Sequence, residues 1–259
     1  MAGFLFHDII FGPVRSRRLG LSLGINLLPS HKKYCSFNCI YCECGWTPPH
    51  TDDPKQFPQR ELVSRFLERS LAGFVEEDYL PDAITFAGNG EPTLHPEFEG
   101  IVDDTLELRD KFIPSARVSV LSNASMIHDP KVFRALLKID NNILKLDAGS
   151  ERIFQLMNNP APPVNYHNLL ENLKKFQGKL IIQSMFLRGN FRDQMVDNTT
   201  REEVDEWLIK IREIYPEMVM IYPIARATPV QNLEKIPIFE LEAIAELVRK
   251  TGIEVKVYQ

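Results

Sequence analysis

Cys35-Ser36-Phe37-Asn38-Cys39-Ile40-Tyr41-Cys42-Glu43-Cys44 holds every cysteine of a 259-residue chain. The other 249 residues have none. A disulfide framework needs cysteines spread along the chain to close loops, so this distribution argues against one. It argues for a local metal site. Thiols at 35, 39 and 42 in a loop can converge on one centre, because irregular backbone is free to point them inward. Thiolate donors suit iron–sulfur clusters and zinc. Structural zinc usually takes its ligands from two pairs set apart by a longer segment, and four ligands within ten residues make a cramped tetrahedron. Spacing favours iron–sulfur and leaves zinc open.

Outward from the cysteines, strand-like and helix-like segments alternate. Leu21 to Leu28 reads as a strand with Leu21, Leu23, Ile25 and Leu27 on one face. Further strands are expected at Ala83–Ala87, Arg117–Leu121, Ile143–Leu146, Leu180–Phe186, Met218–Tyr222 and Glu254–Tyr258. Helices are expected near Glu61–Phe74, Asp129–Lys138, Tyr166–Phe176, Arg201–Ile214 and Ile238–Lys250. The first carries Leu62, Phe66, Leu67 and Leu71 at helical spacing. Thr200 and Glu203 form a capping box before the fourth. Such alternation implies right-handed βαβ units, a parallel sheet and an α/β barrel, open or closed. Ligands in such sheets sit at the carboxyl ends of the strands.

The remaining composition is that of an ordinary globular chain: 44% hydrophobic, 25% charged and 10% aromatic residues. Disorder and coiled coil are excluded on that basis. Net charge of −5 provides no global attraction for nucleic acid; a local basic strip would be needed. No apolar run reaches the 18 or so residues that span a bilayer, and the start of the chain lacks the pattern of a signal peptide. The cytoplasm is therefore the expected location. The proline-rich stretch Trp46–Pro58 reads as a surface loop and not a linker, giving one domain over residues 1–259.

Cys35-x-x-x-Cys39-x-x-Cys42, with Tyr41 just before the third cysteine, resembles the signature of the radical SAM superfamily. Gly12-Pro13-Val14-Arg15-Ser16-Arg17-Arg18-Leu19-Gly20 through Gly24-Ile25-Asn26 is similar to an Fe–S oxidoreductase-like branch, loosely related to wyosine-base synthases. The resemblance implies a partial (β/α)6 TIM-like barrel with parallel strands and an additional C-terminal strand. It implies one 4Fe–4S cluster on Cys35, Cys39 and Cys42, with S-adenosylmethionine (SAM) chelating the open fourth iron. Reductive cleavage of SAM then gives a 5′-deoxyadenosyl radical for hydrogen abstraction. Cys44 is expected off the cluster, since a fourth thiolate would block the open iron. Flavodoxin or ferredoxin is the implied electron donor.

Further residues follow from the same resemblance. Gly88-Asn89-Gly90-Glu91-Pro92 resembles the family's Gly-Gly-Glu-Pro segment, with Asn89 in place of the first glycine. Glycines admit close backbone approach, and Glu91 can accept from the SAM ammonium; alone, the segment is equally a turn. Ser122 and Asn123 stand where the family contacts ribose or carboxylate, or else cap the next segment. Lys145 and Asp147 face one side and are either used for binding or form an ion pair at the rim. Gln183 shares a face with Met185, Tyr222 and Ile224 end a strand where the family presents backbone to adenine, and Tyr41 meets adenine or packs in the core. Arg15, Arg17, Arg18, Arg152, Arg188 and Arg226 hint together at an anionic substrate. With only one cysteine beyond the three ligands, a second thiolate-held cluster is ruled out. Two alternatives stay open: an RNA-base (tRNA) modifying radical SAM enzyme, or a non-catalytic binding module stabilised by zinc or Fe–S.

Overall fold

The computed structural model describes residues 3–49, 56–161 and 164–259; residues 50–55 of the proline-rich stretch lie outside them. Its strands are β1 (Ile10–Ser16), β2 (Gly20–Ile25), β3 (Ala83–Phe86), β4 (Arg117–Ser122), β5 (Asn141–Lys145), β6 (Ile181–Phe191), β7 (Gln194–Asp197), β8 (Met218–Pro223), β9 (Glu234–Lys235) and β10 (Glu254–Val257). The helices are α1 (Arg60–Glu76), α2 (Phe98–Phe112), α3 (Pro130–Lys138), α4 (Glu151–Met157), α5 (Tyr166–Lys174), α6 (Arg201–Ile214) and α7 (Ile238–Arg249). The sheet runs β1-β2-β3-β4-β5-β6-β8-β10, with β7 and β9 paired onto the extended end of β6. From β2 to β10 every neighbour along this path is parallel. The sheet is an unclosed partial barrel, with β10 as the additional strand beyond six βα units.

Period-two alternation sorts the sheet into two faces. Leu23, Ile25, Ile84, Phe86, Val118, Val120, Leu144, Ile182, Val219 and Ile221 are all buried in one core cluster with the helices' apolar residues. Their alternates form the inner face, among them Ser22, Gly24, Thr85, Ser119, Lys145, Gln183 and Tyr222. It is mostly small or polar: Ser22 and Thr85 hydroxyls meet at 2.7 Å. Ile143, Ile181 and Met220 form a second, smaller apolar cluster on this inner face, packed with Leu19 and Leu121, and the polar groups beside it leave the concave side suited to a ligand.

Several elements depart from the sequence expectation for local reasons. β2 stops at Ile25 because the Asn26 carboxamide oxygen accepts from Leu28 N and from Asn89 N, turning the chain. β1 contains Gly12 and Pro13, and proline is tolerated here because the strand is an edge. The turn between β6 and β7 uses Arg192 and Asp193 at φ 53° and 58°, a hairpin geometry usually signalled by Asn-Gly. In α1 the buried residues are Val63, Leu67 and Leu71, while Phe66 is 39% exposed. α2, which the sequence reading did not include, carries Gly100 opposite the Arg60 guanidinium, whose flexible end lies 2.4 Å from where a Cβ would stand. Thr200 does cap α6, accepting from Glu203 N at 3.3 Å. The Glu203 carboxylate, however, accepts from Gly149 N and Ser150 N at 3.1 and 3.0 Å, so it braces the start of α4 and does not complete a box.

Candidate active site

The cysteine loop leaves β2 and is pinned against the carboxyl end of β3. Tyr34 N donates to Asn89 O at 2.8 Å, and Glu91 N donates to Tyr34 O at 3.1 Å. Gly90, at φ +144°, is required for this: an added Cβ would lie 1.9 Å from the Tyr34 carbonyl oxygen. Gly88, at φ +133°, faces Asn26 in the same way. Asn89 is wholly buried, with its carboxamide oxygen accepting from Phe6 N at 2.8 Å. Its amide donates to Phe6 O at 2.8 Å and to Pro29 O at 2.9 Å. Asparagine at this position therefore clamps the strap of residues 3–9 over the loop, where Phe4 N also donates to Glu43 O at 2.9 Å.

Cys35 and Cys39 are buried and Cys42 is half-buried; none of the four cysteines is in a disulfide. A residue the sequence reading passed over lies among them. Lys33 is 3% exposed, donates to Gly45 O at 3.0 Å, and feels the charges of Cys42, Cys35 and Cys39 together. Burial works to discharge its ammonium, but the three sulfurs outweigh this and raise its pKa. Asn123 and Asn158 aim carboxamide nitrogens at Cys35 Sγ and Cys39 Sγ, each at 3.5 Å. Burial pushes the metal-free Cys35 thiol up to about 12. A hydrogen bond from Cys44 and the charge of Lys33 pull Cys42 below the usual thiol range, and Cys44 rises correspondingly. Cys44 Sγ also donates to Gly88 O at 3.6 Å. Among the described residues, no three His, Cys, Asp or Glu side chains gather closely enough for a single metal ion. A buried lysine that interacts electrostatically with three thiols, with amide donors on two of them, suits an anionic thiolate cluster.

Around this loop the structure places the other residues in two groups. Glu91 is 1% exposed and takes four donors: Thr93 N at 3.1 Å, Thr93 Oγ1 at 2.5 Å, Ser122 Oγ at 2.8 Å and Asn123 N at 2.6 Å. Burial raises its pKa, against the pull of these donors. Ser122 and Asn123 are thus joined to Glu91 in one brace that also holds Asn123 against Cys35 and Ser36. Lys145 Nζ donates to Tyr41 Oη at 2.7 Å and pairs with Asp147 at 3.3 Å, and Tyr41 Oη donates to Asp147. Asn158 Nδ2 donates to Asp147 at 2.8 Å, tying this triad to Cys39. Asp147 has no side-chain exposure, so the ion pair lies inside and not at the rim. The second group, Gln183 and Tyr222, lies on the inner face with Arg18 and does not touch the cysteines. Ile224 follows β8, half-buried against the core, in a loop whose Val230 N returns to Ile40 O at 3.3 Å.

Lys33 and Asn158 had no signal in isolation, Asn158 lying 119 residues from the thiol it faces. The run Lys32-Lys33 immediately before Tyr34-Cys35 was the one available hint.

The sequence profile of the radical SAM superfamily matches residues 30–202, two thirds of the chain and all of the loop just described. The chain belongs to the radical SAM superfamily. Its relatives include the UPF0026 protein slr1464 of Synechocystis, 31% identical over 228 residues, covering 86% of this chain and 78% of that one. Another is a UPF0026 protein of Helicobacter pylori, 32% identical over 185 residues, covering 70% of this chain and 57% of the relative. The chain thus spans little more than half the length of the latter. Among solved structures, Streptococcus suis SuiB bound to S-adenosylmethionine superposes with a TM-score of 0.62 at 15% identity. That match covers 91% of this chain and 50% of SuiB, and the likeness is one of fold. Radical SAM proteins use a 4Fe–4S cluster and SAM, and the cofactors of this chain are accordingly these. No helix among the described residues is long and apolar enough to cross a membrane.

Proposed function

We propose that the chain is a radical SAM enzyme holding its cluster on Cys35, Cys39 and Cys42 and receiving its substrate on the inner face of the sheet. Reduced cluster and SAM together supply, when bound, a 5′-deoxyadenosyl radical that takes hydrogen from the substrate. The chain binds, orients and shields. Lys33 offsets the thiolate charge, and the amides of Asn123 and Asn158 orient Cys35 and Cys39 from behind. Cys44 is occupied with Gly88 O and Cys42, which supports keeping it off the open iron. The segment Gly88–Glu91 and the Tyr41–Lys145–Asp147 triad flank the loop as the walls for SAM. We read the chain as one radical SAM core over residues 1–259, with flavodoxin or ferredoxin as electron donor, in the reducing cytoplasm.

The observation that carries this reading is that the loop bearing Cys35, Cys39 and Cys42 is held at the carboxyl ends of parallel strands, with the carboxamides of Asn123 and Asn158 donating to two of the thiols. Anaerobic reconstitution tests it. The protein should bind about four iron per chain and cleave SAM to 5′-deoxyadenosine under reduction, and Cys39→Ala should abolish both. Stoichiometric zinc without iron uptake would support the binding-module alternative instead. Arg15 and Arg17 are exposed on the β1–β2 hairpin, which keeps tRNA-base modification as a second reading. It requires salt-sensitive tRNA binding that weakens in Arg15→Gln/Arg17→Gln.

A further inference from the structure

Six arginines could serve an anionic ligand, and the fold treats them differently. Arg188 is enclosed by Glu240, Asp197 and Glu234. Arg226 pairs with Glu43. Arg15, Arg17 and Arg152 are exposed at the surface. Arg18 alone turns inward. Its Nη1 donates to Gln183 Oε1 at 2.9 Å, and its guanidinium lies 4.8 Å from the centre of the Tyr222 ring. No carboxylate among the described residues pairs with it, and Gln183 is the one side chain that accepts from its guanidinium there. Nearby Glu254 is engaged by Lys256 at 3.2 Å, and Lys145 is matched by Asp147 at 3.3 Å.

The inner face thus carries one uncompensated, half-buried cation. Gln183, which positions it, is in register with Lys145 on β5, and Lys145 reaches Tyr41 of the cysteine loop at 2.7 Å. Arg18 and the Lys145–Tyr41 contact of the cluster loop therefore lie on the same inner face of the sheet. Orienting a guanidinium by an amide and an aromatic face, with its other N–H groups unclaimed, prepares the planar fork that oxyanions accept.

We infer that Arg18, with Gln183 and Tyr222, forms an oxyanion subsite that anchors a carboxylate or phosphate group of the substrate. This rests on the inner face being the reaction chamber, and it narrows the substrate class to molecules that carry a carboxylate or phosphate. Anchoring by the charged end leaves the remainder of the molecule directed along the face toward the cysteine loop.

The test uses the reconstituted holoprotein and two probes, inorganic phosphate and acetate, at constant ionic strength made up with chloride. Thermal-shift titration should give saturable stabilisation by at least one probe. Arg18→Gln should raise the midpoint at least about tenfold, as loss of a charge-assisted contact requires. Arg18→Lys should fall between, and Arg15→Gln/Arg17→Gln should match the wild type. Stabilisation that survives in Arg18→Gln, or none with either probe, overturns the subsite. Mutual exclusion of phosphate and SAM overturns its assignment to substrate. SAM cleavage by the wild-type protein is measured separately. Absent cleavage with Arg18-dependent phosphate binding sinks the enzymatic reading and leaves the subsite; cleavage with Arg18-independent phosphate binding does the reverse. If Arg18→Gln fails to fold, Gln183→Leu replaces it, and an unchanged midpoint there overturns the proposal.

Discussion

Gly90→Ala separates two roles for the glycine segment that follows β3. A methyl group at residue 90 would lie 1.9 Å from the Tyr34 carbonyl oxygen and 2.6 Å from its carbon, with Cys35 Cβ 3.1 Å away. Relief requires the Tyr34 carbonyl to retreat by roughly 1 Å, since non-bonded carbon and oxygen cannot approach so closely. That retreat breaks the bonds from Glu91 N to Tyr34 O and from Tyr34 N to Asn89 O, about 1 kcal/mol each. Alanine at φ +144° adds about 1–3 kcal/mol of backbone strain. The sum is about 3–5 kcal/mol, which for a chain of this size lowers the melting midpoint by roughly 5–10 °C. Calorimetry of the metal-free protein measures it, and iron per chain after reconstitution should fall in parallel because Cys35 moves with Tyr34. If Gly90 served only close approach of SAM, the metal-free variant would melt within about 2 °C of wild type and load iron fully. That result refutes the argument.

Three further outcomes follow from the same geometry. Lys33→Met removes a buried positive charge beside the thiolates and should lower the cluster's reduction potential by on the order of 100 mV; an EPR-monitored redox titration reads it, and an upward shift contradicts the assigned role. Glu91→Gln sets an amide against a carboxylate site built of four donors, so it should cost about 2–3 kcal/mol and loosen Asn123 from Cys35; a melting point equal to wild type counts against the brace. In metal-free protein at pH 7, iodoacetamide should label Cys42 first. Its lowered pKa keeps thiolate present as pH falls below the usual thiol range, whereas Cys35, pushed up to about 12, stays protonated. Peptide mapping that finds Cys35 or Cys44 labelled ahead of Cys42 reverses that ordering.

What could be read from the sequence was whatever repeats at short range. The alternation of Leu23 and Ile25 is visible in six residues and correctly assigns the helix-facing side of β2. Lys145 and Asp147 were expected to face the same way; β5 ends at Lys145, and Asp147 just beyond it does pair with the lysine. Asn89 shows the limit. Its identity departs from a glycine motif, but the reason is Phe6, 83 residues earlier, whose backbone needs both its amide and its carbonyl satisfied. Lys33, Asn158 and the inward turn of Arg18 belong to the same class, since each is defined by a partner that only folding brings near. The glycine-free β6–β7 turn was hidden differently, because local propensity points away from the positive φ that Arg192 and Asp193 adopt there.

The strap that Asn89 clamps makes the start of the chain a witness to the metal loop. The Phe6 amide is bonded to a side chain whose own backbone carbonyl holds Tyr34, next to Cys35. Slackening of the loop on loss of its cluster reaches Phe6 through Asn89, and reaches the strap also through the bond from Phe4 N to Glu43 O. Hydrogen exchange at that one amide, outside the cysteine motif, should then track the order of the loop as cofactor is loaded and removed.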